Sequence, residues 1–221
     1  MAAATTVLGS AILALSNKTL TQAAVNDLSL SIVGQLATLA ASLGYSDPLE
    51  WCVERMLGAD MSLVLAADAA AKAGRINLLT YILFVEPDVI RRLSYVESCI
   101  VEAASTGRFL IIEYLVGTFP TISDEALVRV VNVLVHHADA GPLLMTLAEN
   151  HGIVPEHDAI CAALSMGTYL SLYTMLAQAE DVHFDAVRAA TEGCLTHNVM
   201  AGWEDTTMLE LLLTKTAVTD K

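Results

Sequence analysis

Ala70-Ala71-Lys72-Ala73-Gly74-Arg75-Ile76-Asn77-Leu78-Leu79-Thr80-Tyr81 is answered 33 residues later by Ala103-Ala104-Ser105-Thr106-Gly107-Arg108-Phe109-Leu110-Ile111-Ile112-Glu113-Tyr114. Both stretches carry a double alanine, a Gly-Arg step, an apolar pair and a tyrosine seven residues after the glycine. The string before the glycine recurs at Ala40-Ala41-Ser42-Leu43-Gly44, where Trp51 takes the place of the tyrosine, and at Ala189-Ala190-Thr191-Glu192-Gly193. Looser copies end at Gly141 and Gly167, so the glycines step by 30, 33, 34, 26 and 26 residues. Periods of this size are the signature of stacked repeats.

Each copy predicts a helix pair. Residues 62–73 and 97–106 are almost all small or apolar, as a tightly packed inner helix requires. Gly74 and Gly107 suit a helix end, where the chain turns through a left-handed conformation that glycine adopts without strain. Residues 76–84 and 109–117 space their apolar side chains as a second helix folded back on the first. Pro87 and Pro120 stop these outer helices. The paired alanines stand where neighbouring repeats meet, because a larger side chain would hold the helices apart. Gly141 is expected in the turn of a fourth pair. The last copy carries an insertion, residues 194–205, in its turn.

The double alanine, the Gly-Arg step, the apolar pair and the 33-residue period resemble the ankyrin repeat family across residues 30–215. The Thr-Pro-Leu-His tetrad of that family is missing: Ser98-Cys99-Ile100-Val101 and Leu65-Ala66-Ala67-Asp68 stand in its place. The family's Gly-Ala-Asp-Val-Asn hairpin is also missing, and residues 86–94 read equally as a hairpin or a helical turn. The resulting expectation is an all-α fold, an α-solenoid of stacked antiparallel helix pairs. Residues 1–29 would form capping helices (5–15 and 22–38 have helical patterns). Residues 30–215 would hold five to six repeats, with a tail at 216–221.

Composition agrees with a helical protein. Hydrophobic residues make up 55 % and charged residues 16 % of 221, which excludes intrinsic disorder. The formal charge is −14. Such a chain does not suit nucleic acid or an anionic membrane surface. Cys52, Cys99, Cys161 and Cys194 match no zinc module or disulfide framework and read as buried, reduced thiols, implying a cytoplasmic or nuclear protein. Met1–Ser16 is uncharged and too short to span a bilayer, so it reads as a capping helix.

No phosphate-binding glycine loop and no hydrolase or zinc-protease motif occurs, so neither enzyme activity nor a cofactor is expected. All six histidines (His136, His137, His151, His157, His183 and His197) lie in the second half. His136, His137 and Asp139, or His151, His157 and Cys161, could supply metal ligands, which keeps a small helical metal-dependent enzyme as an alternative. A structural subunit of a larger assembly is another. Against the metal reading, adjacent histidines on a helix point about 100° apart. Charge is the stronger signal. Residues 1–110 have 7 basic and 10 acidic side chains, whereas residues 111–221 have 4 and 15. The acidic side chains Asp139, Glu149, Glu156, Asp158, Glu180, Asp181 and Asp185 occupy a stretch free of lysine and arginine. This acidity favours a soluble monomer, and it also fits a face that meets a basic protein. The ankyrin resemblance implies a non-catalytic scaffold that binds a partner protein through its concave or turn face.

Overall fold

The computed structural model describes residues 2–153 together with 155, 156, 159 and 162. Among these residues the protein is all-helical, without strands. The helices are α1 (Ala2–Ser16), α2 (Gln22–Asn26), α3 (Leu30–Leu43), α4 (Ser46–Gly58) and α5 (Val64–Lys72). They continue as α6 (Ile76–Val85), α7 (Val89–Ser105), α8 (Phe109–Thr118), α9 (Asp124–Leu134) and α10 (Gly141–His151), the last preceded by a 3-10 turn at Ala138–Ala140. The chain divides into two compact units, residues 1–122 and 123–221. That division falls inside the segment 30–215 expected to be one array.

In the first unit, α3 packs against α5 and α5 against α7. Each of these three folds back onto its successor, α4, α6 or α8. The burial of the three pairs follows one template. Counting back from Gly44, the positions 11, 8, 7, 4 and 3 are Val33, Leu36, Ala37, Ala40 and Ala41, all buried. The same positions before Gly74 are Leu63, Ala66, Ala67, Ala70 and Ala71, and before Gly107 they are Val96, Cys99, Ile100, Ala103 and Ala104. All ten are buried as well. Five and eight residues after the glycines, Leu49 and Cys52, Leu79 and Ile82, and Ile112 and Leu115 close the core from the outer helices.

The turns share a mechanism. Gly74 and Gly107 have φ of +72° and +66°. The amide of Arg75 donates back to the Ala70 carbonyl at 2.8 Å, and that of Arg108 to Ala103 at 2.8 Å. This six-to-one bond satisfies a carbonyl that the helix end leaves open. Each arginine side chain then reaches the preceding pair: Arg75 to the Leu43 carbonyl at 3.4 Å, Arg108 to the Lys72 carbonyl at 2.9 Å.

Polar ties between pairs keep the same period. Leu63 donates its amide to the Tyr95 hydroxyl at 3.1 Å, Ser98 donates to Asp68 at 3.0 Å, and Thr80 and Tyr114 share a bond of 2.9 Å. Lys72 pairs with Glu102 at 2.9 Å. These partners lie 30 to 34 residues apart in sequence.

Several expectations are corrected. The region 22–38 is not one helix: α2 stops at Asn26, and Ser29 in extended backbone opens α3 at Leu30. Of the two readings left open for residues 86–94, the helical one holds from Val89 onward, since residues 89–105 are continuous helix. Asp88 accounts for this early start, accepting from the amides of Ile90 at 2.8 Å and Arg91 at 3.2 Å as an N-cap.

Gly141 does not close a helix. Its φ is −49°, and it opens α10 from a buried position. In the second unit, Leu127, Val130, Val131, Leu134 and Val135 are buried with the spacing of the first three inner helices. That spacing puts the turn near residue 138, where the 3-10 turn replaces a left-handed glycine. Gly167, Gly193, the insertion at 194–205 and the tail lie outside the described residues.

Candidate interaction surfaces

Of the acidic set of the second half, three side chains lie among the described residues. Asp139 is exposed in the 3-10 turn, and Glu149 is exposed in the last turn of α10. At 1.5 Å of rise per residue, ten residues of mostly helical chain put them about 15 Å apart. Glu156 is exposed but held: its amide donates to the Asn132 side chain at 2.8 Å, and the Asn132 amide group donates to its carboxylate at 2.8 Å. Asp158, Glu180, Asp181 and Asp185 lie outside the described residues.

His136 is half-buried with its Nδ1 unpartnered, His137 sits in extended backbone before the 3-10 turn, and His151 is exposed at the end of α10. Among the described residues no three His, Cys, Asp or Glu side chains come together as metal ligands. His157, His183, His197, Cys161 and Cys194 lie outside them. No helix among the described residues is long and apolar enough to cross a membrane.

Cys52 and Cys99 are free and buried. Burial pushes the Cys52 thiol up to about 12, against a smaller opposing pull from Arg55. Cys99 is raised well above its ordinary value, first by burial and then by the carboxylate of Asp68. A thiol so placed is a packing group, because nucleophilic chemistry requires the thiolate.

A buried polar knot links the second and third pairs. Glu86 is 1 % exposed and accepts from the Tyr95 hydroxyl at 3.1 Å and the Asp88 amide at 3.1 Å. Tyr95 in turn accepts from the Leu63 amide, and Arg92 donates to the Glu86 carbonyl at 3.2 Å through its Nε. Nothing around Glu86 in the sequence marks it as buried; only the arrival of Tyr95 nine residues on makes it so.

Two of the open surfaces of the first unit lie along the three helix pairs. One is a cleft of about 630 Å³ lined by Gly34, Gln35, Thr38, Met56, Met61 and Leu65, beside the connection from α4 to α5. The other is the outer face of α4, α6 and α8. There Trp51, Tyr81 and Tyr114, each seven residues after its glycine, are half-buried. Glu50 and Glu54 on α4 and Glu113 on α8 are exposed. Partial burial, with Glu50 and Glu54 nearby, pushes the Tyr81 hydroxyl up.

The chain matches no protein-family model, no curated protein and no solved structure.

Proposed function

We propose that the protein is a non-catalytic interaction scaffold, an ankyrin-like α-solenoid that binds a partner protein through its repeated surface. One observation carries this reading: three successive helix pairs bury the same positions and are tied by polar bonds one repeat apart. Such an array presents equivalent side chains at regular intervals along a broad surface, the geometry that repeat proteins use for protein partners. The acidity of residues 111–221 selects a basic partner on this reading, with Asp139, Glu149, Glu156, Asp158, Glu180, Asp181 and Asp185 as its contacts. Exposed charge pairs contribute about 0–1 kcal/mol each, so the attraction is collective and acts mainly on the association rate.

The test is affinity capture with the purified chain, repeated with the charges at Glu156, Asp158, Glu180 and Asp181 reversed. The expected result is a saturable basic partner whose association slows markedly with the quadruple variant. A partner captured equally by both chains removes the acidic stretch from the account. Stoichiometric metal in the purified protein, with a turnover that depends on it, contradicts the scaffold itself.

A further inference from the structure

We draw no further inference here: the strongest candidate, the cleft beside the connection from α4 to α5 lined by Gly34, Met56, Met61 and the exposed Leu65, is an unpartnered apolar groove, and nothing in the structure shows what covers it.

Discussion

Ala104 has no exposed surface, three residues before Gly107, on a helix that packs against α5 on one side and α8 on the other. Replacing it with leucine adds three carbons where no room exists. In open space their burial would be favourable, at about 0.8 kcal/mol per methylene. In a closed seam the helices must separate or the side chain must leave its rotamer, and overpacking of this kind costs about 1–3 kcal/mol. The net expectation for Ala104→Leu is a loss of about 2 kcal/mol, which lowers Tm by roughly 4–8 °C for a chain of this size. Ser94 supplies the control, since it lies on the same helix with its side chain exposed. Ser94→Leu should stay within about 0.5 kcal/mol. Urea titrations followed by circular dichroism give both values. If the two substitutions cost the same, Ala104 does not sit in a seam and the inner-helix packing is wrong.

Gly74→Ala should cost about 1–2 kcal/mol because alanine resists its φ of +72°, while Gly74→Asn recovers part of that loss; equal melts for the two would deny the left-handed turn. Asp68 has a raised pKa, mainly from burial, so the folded state holds its proton more tightly than the unfolded state. Its contribution to stability therefore falls as pH rises through the ordinary value of 3.8 towards the raised one, and Asp68→Asn should flatten the stability profile across that window; a steeper profile would refute it. Asp60 works in the opposite sense, because the hydrogen bond from Arg91 lowers its pKa. The stability it contributes is present above 3.8 and lost as pH falls through its folded value, so Asp60→Asn should reduce the loss on acidification. Cys52 and Cys99 should resist iodoacetamide in the native protein and react once it is unfolded; mass spectrometry of each cysteine peptide reads this, and rapid native labelling of Cys99 would contradict its burial.

The legible part of the fold was the part governed by local backbone chemistry. Gly74 and Gly107 each follow an apolar helix and precede another, and both adopt the left-handed turn that this context demands. Gly141 has similar neighbours but opens a helix, because the buried spacing of Val130, Val131, Leu134 and Val135 sets the turn near residue 138. That spacing is a more faithful guide to the fourth pair than its glycine. The early start of α7 was also written locally, in Pro87 followed by the capping Asp88. Glu86 was illegible for the opposite reason: its burial depends on Tyr95, and on the bond from Tyr95 to Leu63 in the previous pair. The surfaces divide in the same way. The acidity of the second half was plain from composition, but the anchoring of Glu156 by Asn132 was not. The recurrence of Trp51, Tyr81 and Tyr114 was visible in the sequence; the structure half-buries all three rings and bonds the Tyr114 hydroxyl to Thr80 of the preceding pair.

The equivalence of the helix pairs is tested most directly by removing one. Deleting residues 44–73 takes out one 30-residue period and joins Leu43 to Gly74. The helix α3 then runs into the left-handed turn of the next pair, Ala40 and Ala41 take the places of Ala70 and Ala71 against α7, and Tyr81 takes the place of Trp51. Stability in a stacked array is a sum over units and their interfaces, so the shortened chain should still unfold cooperatively, with a lower midpoint and near-proportional helix content. A chain that instead loses its helical signal or melts without a transition would show that the pairs are not interchangeable, and the repeat account would fail.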